Sequence, residues 1–233
     1  EIVITEIEKV NKSDFLYASA PERIDPANSK WNIKNTPRIL AGVNEKSTKA
    51  ALEFYKSICD EVTAVSSPEV AESSKLFENT FRQVNIALVN EFAEISHALG
   101  ISVHETLDAA NTKPYGFMKF TPSAGVGGHC IPVDPVYLAK KAQEINAPSR
   151  MIGLAIDINQ KMPKYFVNRV EEQLGGLGGK NILVVGVSYK SNVADTRETP
   201  AASIIDLLRA AGASVIWHDP LVGSWRSESS SEL

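Results

Sequence analysis

The sequence predicts an α/β protein in which two α/β portions, one early and one late, flank a long helical middle. Three observations carry this. Residues 1–65 alternate short apolar runs with turns in a strand, helix, strand pattern. From Pro68 to Leu99 the chain has no glycine and no second proline. After the glycine run "GGLGG" at 175–179 a second strand, helix, strand pattern follows, with near-continuous apolar strands of the kind found in parallel sheet.

In order, "FLYASAPERIDP" reads as a strand and then a loop set by Pro21 and Pro26. "RILAGV" is a strand closed by Gly42 and Asn44. "EKSTKAALEFYKSI" has helical spacing, with Ala50, Phe54 and Ile58 stacked at intervals of four, and "EVTAVS" is a short strand. The run beginning at Pro68 predicts a helix of about 30 residues, opened by a proline in its first turn and stopped by Gly100. One face carries Val70, Phe77, Phe81, Val84, Leu88 and Phe92, with Ile86, Val89 and Ile95 beside that stripe. So wide a stripe suits either the spine of a helical domain or a subunit contact. Ser102, with Glu105 three residues on, has capping-box spacing and opens a short helix. "PVYLAKKAQEI" and "MIGLAIDINQKMPKYFVNRVEEQL" complete the helical middle, and "GGLGG" reads as a linker. "KNILVVGVSYK", "PAASIIDLLRAAG" and "ASVIWHDP" form the last strand, helix and strand.

Composition narrows the function. Apolar residues make up 43% and the net charge is −4, with no long basic run, so nucleic-acid binding is not expected. No apolar run approaches the roughly 20 residues that span a bilayer. The opening "EIVITEIEKV" has no basic patch before an apolar core, so no signal peptide is expected. Two cysteines, Cys59 and Cys130, do not make a disulfide framework, and a reducing cytoplasm is the simplest reading. With four histidines and two scattered cysteines, no metal site is expected. The missing initiating Met and the serine-rich end read as a piece of a longer chain, a processed mature chain being the alternative.

The stretch with the most chemistry is "SAGVGGHCIPVDP", residues 123–135. Gly125, Gly127 and Gly128 allow positive φ and close backbone approach to a ligand. Pro132 and Pro135 stiffen the far side, and Asp134 stands at the start of a helix. An isolated cysteine on such a loop suits a nucleophile, or else a small apolar residue in a tight turn. Cys59, on a helix face, reads as core.

"GVGGHCIPVDPVYL" resembles the catalytic-cysteine signature of the nucleotide-sugar 6-dehydrogenases, the UDP-glucose/GDP-mannose dehydrogenase family. "SAPERIDPANSKW", "ESSKLFENTFRQVNIALVNE" and "VVGVSYKSNVADTRETPA" agree in order, so the resemblance covers nearly the whole chain. It implies Rossmann-like portions around a central helical dimerisation domain: residues 1–66 as the end of an NAD-binding domain, 67–174 as the central domain with the catalytic loop, and 175–233 as the start of a UDP-sugar domain. It implies an NAD-dependent oxidation of an alcohol to an acid by two hydride transfers, with Cys130 forming a thiohemiacetal and then a thioester. Lys75 and Asn79, four apart on one helix face, match the pair beside the reacting carbon that holds the oxyanions. Asp134 matches an aspartate that orients Lys75 or a water, a place where it also suits a helix cap. Glu22 matches a base or water-orienting group in thioester hydrolysis, and otherwise reads as half of a surface pair with Arg23. Arg23, Gly127, Gly128, His129, Lys190 and Arg197 match substrate contacts, Gly128 and Arg197 cofactor contacts as well, and the partners implied are a UDP-sugar and a second copy of the chain.

Two departures stand out. The glucose-oxidising members carry a second glutamate where this chain has Pro26, and an aspartate is usual where Val193 stands. "ERIDPANSKW" instead resembles the branch acting on UDP-N-acetylhexosamines, for which Asn111, Lys113 and His129 are polar candidates for the acetamido group. The Gly-x-Gly-x-x-Gly fingerprint is not in the chain, so half of the cofactor domain is expected upstream. The alternatives are a UDP-glucose 6-dehydrogenase and a non-catalytic fragment that retains dimerisation through the long helix.

Overall fold

The computed structural model describes residues 15–225. The opening ten residues, read above for a signal peptide, and the serine-rich end lie outside them. The chain forms two compact units whose boundary falls between Glu78 and Asn79.

In the first unit, β1 (Ala18–Ser19), β2 (Arg38–Gly42) and β3 (Val62–Ala64) form one sheet in that order. β1 runs antiparallel to β2, and β3 runs parallel to it, with Leu40 opposite Ala64. The parallel pair is joined through α1 (Glu45–Lys56). Asn44 caps α1, its side chain accepting from Ser47 N–H at 2.8 Å. The Ala50–Phe54–Ile58 stripe does not mark the buried face, since Phe54 and Ile58 are exposed. Ser47 faces inward instead, because helix and strand meet closely: a Cβ on Gly42 would stand 2.6 Å from that of Ser47.

α2 (Pro68–Ala98) begins in the first unit and continues into the second. Its stop at Gly100, in the left-handed region at φ +68°, is where the sequence places it. α3 (Val103–Ala110) is capped by Ser102, whose side chain accepts from Glu105 N–H. α4 (Asp134–Glu144) and α5 (Arg150–Leu174) follow, and Gly175 ends α5 at φ +65°. β4 (Asn181–Val185) and β5 (Ser214–His218) pair in parallel, joined through α6 (Pro200–Ala210). The core here is Val167, Leu177, Val187, Ile205, Leu208, Ala213 and Val215. "GGLGG" is therefore a packed turn and not a free linker: Leu177 is buried in that core and Gly179 N–H donates to Gly212 C=O at 2.9 Å. The other face of the two-stranded sheet carries Leu183, Val185 and Ile216 exposed. The elements make an α/β protein in which, in chain order, sheet-bearing parts precede and follow a run of long helices.

The long helix buries an unexpected face. Phe77, Phe81, Leu88 and Ile95 are exposed, whereas Asn79, Thr80, Gln83, Ala87, Asn90 and Ser96 are buried. Small and amide side chains let α2 pack inward, and the apolar stripe points outward.

Candidate active site

Buried amides anchor the glycine loop. Asn90, 0% exposed on α2, donates to Asn159 Oδ1 of α5 at 2.9 Å. Asn159 donates in turn to Gln83 C=O at 3.2 Å. The remaining acceptor, Asn90 Oδ1, takes the N–H of Ser123 at 2.8 Å and so fixes where the loop starts. Buried amides need partners, and here they find them in each other and in the loop.

The loop then lies against the segment before α6. Gly128 N–H donates to Arg197 C=O at 3.0 Å, with Gly128 at φ +83°. A Cβ at Gly127 would stand 2.6 Å from Tyr189 Cβ, and one at Gly128 2.8 Å from Tyr189 Cε2. Two glycines are required there because a tyrosine occupies the space.

Cys130 follows, exposed and unpaired. Its carbonyl accepts from Val133 N–H at 3.2 Å and from Asp134 N–H at 2.8 Å, which turns the chain into α4. Asp134 is the first residue of that helix and does not cap it: Val133 holds the cap position, without a side-chain bond. The Asp134 carboxylate, favoured at a helix N-terminus, accepts from Asn79 Nδ2 at 2.5 Å. Asn79 is 4% exposed, so that bond also satisfies a buried amide.

Arg197 donates through Nε and Nη2 to Asp195, at 3.0 and 2.6 Å, and its side chain remains 65% exposed. These bonds, before all else, hold the Asp195 carboxyl below its ordinary range, with a smaller contribution from His129. Reciprocally, the Asp195 bonds raise the guanidinium above its ordinary value. Lys190 is half-buried on the same segment. A largely exposed guanidinium on this segment suits a diphosphate-bearing ligand. The segment is stapled from behind by Asp219, whose Oδ2 accepts from Val187 N–H at 2.9 Å and Ser188 N–H at 3.2 Å. Backbone donation from Leu221, Val187 and Ser188 outweighs burial and brings the Asp219 carboxyl down to about 2.

In the first unit, Glu22 is strongly engaged. Its Oε1 accepts from Arg23 N–H and Ile24 N–H at 2.7 and 2.8 Å, and its Oε2 from Arg38 Nη2 at 3.0 Å. Burial works to raise its carboxyl, yet the Ile24 and Arg38 bonds prevail and lower it. A carboxylate so held orients a water better than it takes a proton. Arg38, 5% exposed, also donates to Pro21 C=O at 2.9 Å and fixes the loop. Glu22 thus pairs with Arg38, while Arg23 pairs with Glu78 at 2.6 Å and donates to Pro37 C=O. Lys75 lies on α2 four residues before Asn79. Asn111 and Lys113 are exposed after α3, Lys113 over the Tyr115 ring at 5.0 Å.

Asn79, Asp134, Cys130, Gly127, Gly128 and Arg197 therefore share one unit, with Asn79 bonded to Asp134, Asp134 to the Cys130 carbonyl and Gly128 to the Arg197 carbonyl. Arg38, Asn90, Asn159, Tyr189 and Asp219 are the residues that sequence reasoning missed. An Asp-Pro pair directly after a strand was the available signal for Asp219. A cavity of about 590 Å³ adjoins the loop through Gly125, Val126 and Pro132, but Cys130 does not line it. Among the described residues no cluster of His, Cys, Asp or Glu suits a metal, and no helix is long and apolar enough to cross a membrane.

Fold and network together define an α/β protein with an exposed cysteine on a glycine loop, next to a carboxylate–amide pair and a cationic segment. Residues 69–161 match the central domain of the UDP-glucose/GDP-mannose dehydrogenase family, and residues 183–232 match the UDP binding domain of the same family. The chain belongs to the UDP-glucose/GDP-mannose dehydrogenase family. It is 38% identical over 215 residues to the UDP-N-acetyl-D-mannosamine dehydrogenase of Methanococcus maripaludis, covering 91% of this chain and 49% of the relative. It superposes on the UDP-N-acetyl-mannosamine dehydrogenase of Staphylococcus aureus with a TM-score of 0.82 at 33% identity, over 96% of this chain and 54% of that one. On a UDP-glucose dehydrogenase from Pyrobaculum islandicum the TM-score is 0.80 at 27% identity, over 88% and 48% of the two chains. The chain thus spans about half the length of the curated relatives it matches.

Proposed function

We propose that the full-length protein is an NAD-dependent 6-dehydrogenase that oxidises a UDP-N-acetylhexosamine to its uronic acid. The observation that carries this is the Asn79–Asp134 hydrogen bond directly behind the turn that presents Cys130. Cys130 adds its sulfur to the C6 aldehyde, giving a thiohemiacetal whose oxidation leaves a thioester. Water releases the acid and returns the thiol. NAD, when bound, accepts the two hydrides. Arg197, largely exposed beside Cys130, fits a diphosphate of either nucleotide, and Gly128 leaves the backbone open to close approach. Lys75 and Asn79 stabilise the oxyanions, and Glu22, fixed by Arg38, orients the water. Arg23, Gly127, His129 and Lys190 complete the substrate contacts. The three-part division at 66/67 and 174/175 assigns these roles to cofactor, central and UDP-sugar domains. The unpaired cysteines suit a cytoplasmic enzyme, and the outward stripe of α2 suits a homodimer.

The choice of sugar rests on sequence, since the TM-scores of the acetamido and glucose enzymes are nearly equal. Comparing kcat/KM for UDP-N-acetylmannosamine, UDP-N-acetylglucosamine and UDP-glucose decides it, a preference for UDP-glucose favouring the alternative. The mechanism is tested with Cys130→Ser, which should stop acid formation. Normal acid output from that variant would sink the assignment.

A further inference from the structure

We infer that Tyr189 is a positioning residue for Cys130, its ring serving as the template on which the glycine loop is seated. The catalytic part of this inference rests on the dehydrogenase reading above; the structural part does not.

The loop that carries Cys130 has no regular secondary structure from 119 to 127, so something outside it must set its shape. At its start that is Asn90, through Ser123. Next to Cys130 it is Tyr189. The ring occupies the space of a side chain at 128: a Cβ there would stand 2.8 Å from Cε2, 3.0 Å from Cζ and 3.1 Å from Cδ2. At 127 the obstacles are Tyr189 Cβ, Glu198 C=O at 2.8 Å and Pro200 Cδ at 3.1 Å. Both glycines therefore lie flat on one surface, and Cys130 is two residues beyond it.

That surface is itself fixed. Tyr189 N–H donates to Asp195 C=O at 3.0 Å, and the Asp195 carboxylate holds Arg197. The Arg197 carbonyl receives Gly128 N–H at 3.0 Å, which closes a circuit from Tyr189 through Asp195 and Arg197 back to the loop. Asp219 fixes the two residues that precede Tyr189. The atoms nearest to a side chain at 127 or 128 are Tyr189 Cβ and ring carbons, so the seating is assigned to the aromatic ring.

The test compares wild type, Tyr189→Phe, Tyr189→Ala and Gly128→Ala in the full-length protein, with two readouts. The first is the rate of Cys130 alkylation by iodoacetamide, followed by peptide mass, with buried Cys59 as an internal marker of intact fold. The Phe variant should match wild type, whereas the Ala variants should each differ several-fold. The second is steady-state kinetics. Tyr189→Ala should lower kcat about tenfold to a hundredfold, as expected for a misplaced reacting group, with KM for the nucleotide sugar little changed, and Phe should restore it. Should Tyr189→Ala fail to fold, Tyr189→Leu, which removes the ring but keeps an apolar side chain, takes its place in both readouts. Gly128→Ala also strains a backbone at φ +83° and serves only as a control for loop displacement. Equal alkylation in all folded variants overturns the inference, as does a Phe variant that behaves like Ala. A wild type that oxidises no nucleotide sugar overturns the dehydrogenase reading, and the alkylation arm then decides the seating by itself.

Discussion

Asn79 donates its side-chain N–H to the carboxylate of Asp134 across 2.5 Å, tying α2 to the residue four places after Cys130. The bond joins two groups that the family resemblance assigns to separate tasks, one holding an oxyanion and the other orienting a lysine or a water. In the structure they are one unit, and each sets the direction of the other.

Asn79→Ala removes a buried donor and leaves a carboxylate oxygen without its partner. It should destabilise the protein by about 1–3 kcal/mol, read as a lower melting temperature. Asn79→Asp keeps the shape but places two carboxylates side by side, which cannot both ionise cheaply. Its deficit in melting temperature should shrink as pH is lowered, because one proton relieves the pair. A deficit that is constant with pH would show that the two side chains do not meet.

In the proposed mechanism Lys75 acts on charge that appears only during the reaction. Lys75→Ala should lower kcat by about 10²–10³, the usual cost of one oxyanion donor, while KM for the sugar changes little. A raised KM with unchanged kcat would make Lys75 a binding residue.

Much of the frame was legible because its signals are local. Pro68 and Gly100 bound α2, and Ser102 caps α3, each through groups within a turn of its own position. What was not legible depends on partners distant in sequence. Asn90 finds Asn159 69 residues on, which turns an apparently polar helix face into the buried one. Glu22 has Arg23 beside it in sequence, yet its carboxylate pairs with Arg38 sixteen residues on, because that guanidinium is buried at the start of β2. Gly127 and Gly128 were readable as permissive residues, but the tyrosine that requires them lies more than sixty residues further along.

Asp219 should make part of the protein's stability depend on acid pH. Its carboxyl goes from an ordinary 3.8 to about 2 on folding, so the native state favours the charged form. The contribution is complete above pH 3.8 and is lost as pH falls through about 2. Asp219→Asn should lower the melting temperature at neutral pH and should lose less of it between those two values than wild type does. Parallel melting curves for the two proteins over that window would show that Asp219 is not held by the Val187 and Ser188 amides.

The outward stripe of α2 should be a dimer surface. Phe77, Phe81, Leu88, Ile95 and, just past the helix, Leu99 are 41% to 67% exposed and recur at helical spacing. At about 200 Å² for a large apolar side chain, they leave roughly 550 Å² of apolar surface in one strip, against about 800 Å² per partner in a standard interface. The strip lies along one helix and its end, so a second copy related by a two-fold axis can present the same residues to it. Buried polar groups on the opposite face hold α2 within its own fold, so a charge on the strip should leave the monomer folded. Light scattering on the wild-type protein should therefore give twice the chain mass or a multiple of it. Leu88→Glu should reduce that mass by breaking this contact while the melting transition persists. A wild type that is monomeric at micromolar concentration, or a Leu88→Glu variant with unchanged mass, would remove the strip from any role in assembly.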